Sequence, residues 1–188
     1  MPIVLGRKKS KPETLLKTFP EASIIDVTSR AKDRFVRLSP FYPHGNIPVP
    51  EWPGKTAMSV EGIWQGLKVF EGYPTDARRG PDFSKFETTT MSQIKRQERK
   101  GKKVLGHLCA DGKILSYLEA RKRIYLPAYR YVLEHFLSDE LNEIRALSEQ
   151  NTVVLLDYSL NGDVSDLSAP LSHAALVKAW IEGRWPEN

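Results

Sequence analysis

The stretch Ser59-Val-Glu-Gly-Ile-Trp-Gln-Gly-Leu-Lys-Val-Phe70 decides how the rest of the chain reads. Val60, Ile63, Trp64, Leu67 and Phe70 recur at helical spacing, and Ser59 stands where an N-cap belongs. The periodicity therefore predicts an amphipathic helix over 59–71. Beside the apolar face runs a polar stripe of Glu61, Gln65 and Lys68, so one stripe packs while the other can face a cleft. In the first turn the helix dipole favours an ionised Glu61, which can accept a proton or face a developing cation. Lys68 can pair with it, or act as an amine nucleophile when desolvated. The same spacing also describes a plain surface stripe, with Glu61 complementing the dipole and Lys68 meeting solvent.

Upstream, Ala22 to Val27 and Arg34 to Leu38 read as short strands, the second by its alternation. Ser39 to Lys55 carries Pro40, Pro43, Pro48, Pro50 and Pro53 and reads as an ordered, irregular loop of the kind that is commonly functional. Downstream, Asp111 to Leu137 is helical in pattern but interrupted by Pro127. Asp139 to Gln150 is a helix, Val153 to Tyr158 a buried strand, Asn161-Gly162-Asp163 a turn, and Ala174 to Glu182 a closing helix pinned by Trp180 and Trp185. The expected fold is α+β, a small β-sheet surrounded by helices in a single domain over 1–188, with 1–15 as a basic N-terminal segment. Its cleft is bounded by the Ser39 to Lys55 loop, the Ser59 helix and a basic helix after it.

The chain has 188 residues, enough for one domain to bury a core without staples, and its 40% hydrophobic and 27% charged content argues against wholesale disorder. One cysteine, Cys109, closes no internal disulfide and reads as a small core residue. His44, His107, His135 and His173 show no zinc-ligand spacing and read as structural or surface histidines. No metal or cofactor is expected. The Ile3 to Leu5 stretch followed by Arg7, Lys8, Lys9 and Lys11 is too short and wrongly ordered for a signal peptide, and no segment is long enough to span a bilayer. The expectation is a soluble, cytoplasmic protein.

A net charge of +5 favours anionic partners, and the charge is concentrated in Lys95, Arg96, Arg99, Lys100, Lys102 and Lys103, opposed only by Glu98. That run is either a solvated helix end capped by Gly101 or a clamp for phosphate.

Leu38-Ser-Pro-Phe-Tyr-Pro43, a loop, and then Ser59, Glu61, Gln65, Lys68 and Phe70 at their spacing resemble the opening of the NADAR superfamily. These are NAD- and ADP-ribose-associated domains that include riboflavin-intermediate N-glycosidases. Met91 to Arg99 with Gly106 resembles the family's next, basic helix, and Tyr117 to Leu133 the long helix after it. Pro40 stands where the family has a loop Asn, and Asp157 and Asn161-Gly162 are loose counterparts of its C-terminal motifs.

The resemblance implies cleavage of an N-glycosidic bond on an ADP-ribose-like or phosphoribosyl nucleotide, free or carried on a nucleic acid or protein. Glu61 would stabilise an oxocarbenium-like centre and activate water, and Lys68 could capture the opened sugar as a Schiff base. Gln65 would orient ribose hydroxyls and Arg96 and Arg99 would hold phosphate. Phe41, Tyr42 or Trp52 would stack on the base, while Asp157 and Asn161 would add substrate contacts. Two rivals remain open: a non-catalytic nucleic-acid-binding module using the Lys95–Lys103 strip, and a nucleotide sensor without turnover.

Overall fold

The computed structural model describes residues 2–72, 80–94 and 102–186. The chain runs through β1 (Ile3–Arg7), α1 (Pro12–Thr18), β2 (Ser23–Asp26), a 3-10 turn (Arg34–Leu38), β3 (Ile47–Pro48), β4 (Thr56–Ala57), α2 (Val60–Gly66) and β5 (Lys68–Phe70). After 3-10 turns at Phe83–Glu87 and Met91–Gln93 come β6 (Val104–Leu108), β7 (Ile114–Leu115), α3 (Tyr117–Ala120), a π turn (Arg121–Tyr125), α4 (Leu126–Phe136), α5 (Ser138–Gln150), β8 (Val153–Asp157) and α6 (His173–Ile181). The fold is α+β, with small sheets set among helices. The chain divides into two compact units, one of residues up to Ser39 with those from Leu133 onward, the other Pro40–Val132. Among the described residues no helix is long and apolar enough to cross a membrane.

In the first unit β8 is the middle strand of a three-stranded parallel sheet ordered β1-β8-β2. Neighbours on both sides and cover on both faces explain why Val153, Val154, Leu155 and Leu156 form an unbroken apolar run. Leu15 of α1 packs on Val154 and Leu156, with Pro12 supplying a preset first turn.

Arg34–Leu38 is a 3-10 turn, not the strand its alternation predicted. The Asp33 side chain accepts from the Phe35 amide at 3.0 Å, which caps a helical turn, and the buried Phe35 and Leu38 are three apart. Arg37 donates to the Phe136 carbonyl at 2.8 Å and lies 2.9 Å from the buried Glu140 carboxylate, fixing the turn against α5.

The second unit holds the β3–β4 pair and an antiparallel sheet ordered β5-β6-β7. Helix α2 is seated on the Phe83–Glu87 turn through Gly62 and Gly66. A Cβ on Gly62 would stand 2.6 Å from the Lys85 carbonyl oxygen, and one on Gly66 would stand 2.8 Å from the Phe86 ring. The helix is shorter than the predicted 59–71. Asp82 donates its amide to the Gly66 carbonyl, and Leu108 donates to the Leu67 carbonyl, so β6 captures the backbone and the chain continues as β5. Lys68 is thus a strand residue rather than the third member of a helical stripe.

Pro127 interrupts the next helix as expected, and the form of the interruption is the π turn just before it, where the Leu126 amide donates to the Arg121 carbonyl. Proline has no N–H for the carbonyl four residues back, and the widened turn redistributes the bonding.

Candidate functional site

Three of the sequence-selected residues meet in the second unit. Glu61 is half-buried in the first turn of α2, and Gln65, one turn on, is buried. Lys68 opens β5 and is 6% exposed. The Gln65 Nε2 donates to Glu61 Oε1 at 2.5 Å, and Lys68 Nζ donates to Gln65 Oε1 at 2.7 Å. The amide therefore has one orientation, its oxygen toward the cation and its nitrogen toward the anion, and each charge polarises it for the other. Charge is carried inward from a half-exposed carboxylate to a buried ammonium. Gln65, expected to orient ribose hydroxyls, spends its carbonyl and one N–H on this bridge.

Helix α2 is positioned by its cap and by the preceding loop. The Ser59 side chain accepts from the Gly62 amide at 3.0 Å, and the Glu61 amide donates to the Pro40 carbonyl at 2.8 Å. The second bond ties the residue before Phe41 and Tyr42 to the turn carrying Glu61. Both aromatics are half-buried, and Tyr42 is tilted against His44 with ring centroids 4.8 Å apart.

Trp52 has a different task from the stacking expected of it. Its Nε1 donates to the Leu108 carbonyl at 2.8 Å and its ring meets Phe83 edge-on. Next to it, Glu51 forms a two-bond ion pair with Arg123, at 3.0 and 2.7 Å. The proline-rich loop is thereby fastened to β6 and to the π turn.

Behind Lys68 lies a group the sequence gave no reason to select. His107 of β6 is the register partner of Lys68 across the β5–β6 pair, so the two side chains share a face of the sheet. The ring is fully buried, 3.9 Å from the Trp64 indole by centroid. Trp64 in turn meets Tyr117 and Tyr125 edge-on. Neither nitrogen of His107 has a hydrogen bond of good geometry. Burial first, and the charge of Lys68 second, push its pKa down to about 3, against a raising contribution from the Trp64 backbone. His107 is a neutral imidazole beside a buried lysine.

The remaining selected residues are elsewhere. Asp157 and Asn161 belong to the first unit. Asp157 is 4% exposed, with Oδ2 accepting from Ser172 at 2.8 Å and the Ala174 amide at 3.3 Å, and Oδ1 accepting from the Tyr158 amide at 2.6 Å. His173 Nδ1 is 3.1 Å from Oδ2, and its Nε2 is 2.8 Å from the Val27 carbonyl oxygen. An imidazole between two acceptors satisfies both only with both nitrogens protonated. Burial raises the Asp157 pKa, but the charge and hydrogen bond of His173, with Ser172 and the Tyr158 amide, outweigh it and leave the carboxyl below its ordinary value. Asn161 donates to the Asp166 and Ala169 carbonyls and holds the loop that follows β8.

Arg96 and Arg99, with most of the Lys95–Lys103 strip, lie outside the described residues. The expected basic helix over Met91 to Arg99 is described only to residue 94, where Met91–Gln93 is one 3-10 turn. Cys109 is buried, its thiol pKa raised by burial and by Glu51. Among the described residues no group of acidic, histidine and cysteine side chains is arranged to hold a metal ion.

Residues 7–177 match the family model described as a Family of unknown function (DUF6939). No curated protein and no solved structure matches the chain.

Proposed function

The chain belongs to this family of unknown function, and from its Glu61–Gln65–Lys68 bridge we propose that it is a hydrolase cleaving an N-glycosidic bond in an ADP-ribose-type or phosphoribosyl nucleotide. The single observation that carries the reading is a half-exposed carboxylate joined through one buried amide to a buried lysine.

Departure of a base or amine from C1′ of a ribosyl group leaves positive charge on the ring, and a fixed carboxylate lowers the energy of that charge and can take a proton from attacking water. Glu61 has that role. Lys68 stands one amide behind it, where a primary amine can capture an opened sugar at C1 as a Schiff base. The resemblance of Leu38 to Pro43 and Ser59 to Phe70 to the NADAR superfamily supports the same chemistry. Phe41 and Tyr42, next to the residue that anchors the Glu61 turn, are suited to a base, and the basic run Lys95–Lys103 to phosphate. A single, buried thiol suits a reducing, cytoplasmic setting.

The test is product release from ADP-ribosylated guanosine, protein-linked ADP-ribose and phosphoribosyl intermediates of riboflavin synthesis, comparing the native chain with Glu61→Gln. Loss of one electrostatic partner of a developing charge slows such steps by roughly 100- to 1,000-fold, and that loss is the expected result. Absence of turnover by the native protein on all three, with equal binding of nucleotide by both proteins, would replace hydrolysis with simple binding.

A further inference from the structure

The buried imidazole of His107, whose nitrogens have no hydrogen bond of good geometry, plays no part in the Glu61–Gln65–Lys68 bridge, and its place suggests a role. Leaving a buried donor or acceptor without a good hydrogen bond is costly. A phenylalanine would fill the same space against Trp64 without that cost. The ring lies opposite Lys68 in strand register, and cross-strand Cβ atoms stand roughly 5 Å apart, within the span of a lysine's four-carbon arm. In its neutral form the ring carries one protonated nitrogen and one lone pair.

We propose that His107 is the proton acceptor for Lys68, the group that receives the ammonium proton when the lysine turns into a nucleophile. The proposal rests on the role given to Lys68 above and adds a partner for its proton. As an ammonium, Lys68 has no lone pair to offer. With the arm turned from the Gln65 oxygen to the ring, its proton passes to the unprotonated nitrogen of His107, leaving a neutral amine and an imidazolium. The amine lone pair adds to the aldehyde carbon at C1 of an opened sugar, giving a carbinolamine. The imidazolium then returns its proton to the hydroxyl, which leaves as water as the iminium forms. The net change is ammonium plus aldehyde to iminium plus water, with His107 neutral at both ends.

Burial and the Lys68 charge hold the ring uncharged at rest. The second and smaller of these vanishes when Lys68 gives up its proton, so the ring is more basic then than at rest, while burial still lowers it. Lys68 is the charged group opposite it in the sheet, and the ionisable Tyr117, Tyr125 and Arg121 come from α3 and the π turn around Trp64.

The experiment follows Lys68 directly. Native protein is incubated with ribose 5-phosphate and cyanoborohydride, and the rate of reductive capture at Lys68 is read by peptide mass mapping for native, His107→Phe and His107→Ala chains. Both variants should label Lys68 at least 10-fold more slowly. Added imidazole should restore the rate in His107→Ala, whereas pyrrole, a ring of the same size with no basic nitrogen, should not.

Equal rescue by both rings would show that only shape matters and overturn the proposal, as would native-rate labelling in His107→Phe or no labelling of Lys68 in the native chain. His107→Phe keeps the ring stack, so misfolding of the alanine variant does not remove the test. The readout needs no glycosidic cleavage. A His107-dependent capture without turnover of any nucleotide would sink the substrate reading and leave this one standing.

Discussion

Each unit contains a carboxylate wired to a basic side chain, and the two differ in exposure: Asp157 is buried, Glu61 half-buried. In the first unit Asp157 accepts on both oxygens, and each nitrogen of His173 faces an acceptor. Ser172 is itself the cap of α6, accepting from the Ala175 amide while donating to Asp157. The cluster joins the end of β8 to α6 and to the residue following β2, and its internal satisfaction marks it as structure. In the second unit the path from Glu61 to Lys68 begins half-buried and ends beside an imidazole whose nitrogens have no hydrogen bond of good geometry. A buried ring whose pKa is displaced by burial and a neighbouring lysine marks a candidate reacting centre. A Ser, His and Asp in contact are therefore not a catalytic triad here: the histidine nitrogen that would face a nucleophile is aimed at a carbonyl.

The largest effect expected is on the closed cluster. Asp157→Ala removes one partner of a buried pair and leaves the Ser172 hydroxyl, the Ala174 amide and His173 Nδ1 without the oxygen they face. Such losses cost about 3–5 kcal/mol, which urea unfolding would read as a clear fall in the midpoint. A change below 1 kcal/mol would mean that the cluster is no more structural than the other.

Next is the seat of α2. Gly62→Ala puts a methyl group 2.6 Å from the Lys85 carbonyl oxygen and 3.0 Å from the capping hydroxyl of Ser59. Overpacking of this kind costs about 1–3 kcal/mol. Because α2 carries Glu61 and Gln65, stability and turnover should fall together, unlike the outcome for Asp157. Turnover at the native rate would detach the chemistry from the helix.

The third expected effect is smaller and depends on pH. The folded-state pKa of Asp157 lies below its ordinary value, so between the two the unfolded chain binds more protons and stability rises with pH. The contribution is fully present above the ordinary carboxylate pKa of about 3.9 and is lost as pH falls through the depressed value. Acid unfolding followed by far-UV circular dichroism should show this loss in the native chain and a flatter dependence in Asp157→Asn. Equal slopes would remove Asp157 from the account of acid sensitivity.

Local signals in the sequence carried the fold class, the β8 core strand, the helices after Ser138 and Ser172, and the capped start of α2. The end of α2 was illegible, since Leu67, Lys68 and Phe70 continue the helical period and are turned into strand by backbone bonds from Asp82 and Leu108, which are remote in sequence. Arg34–Leu38 failed for the opposite reason: a five-residue alternation outweighed Asp33, whose side chain caps the turn. Glu61, Gln65 and Lys68 were found by helical spacing although Lys68 is not helical, because the first residue of β5 still brings its amine to Gln65. His107 carried no signal at all. Its partner lies across a strand pair, and only the register, which the sequence leaves unstated, sets the two side by side.

The central claim is that the open cluster does chemistry and the closed one holds the fold. Its most direct test measures thermal midpoint and product release on the same preparations of Glu61→Gln and Ser172→Ala. The account predicts that Glu61→Gln loses turnover by 100-fold or more with its midpoint almost unmoved. Ser172→Ala should lose about 1–2 kcal/mol, a few degrees of midpoint, with its rate per folded molecule intact. An active Glu61→Gln chain, or one whose only defect is a lower midpoint, would contradict it.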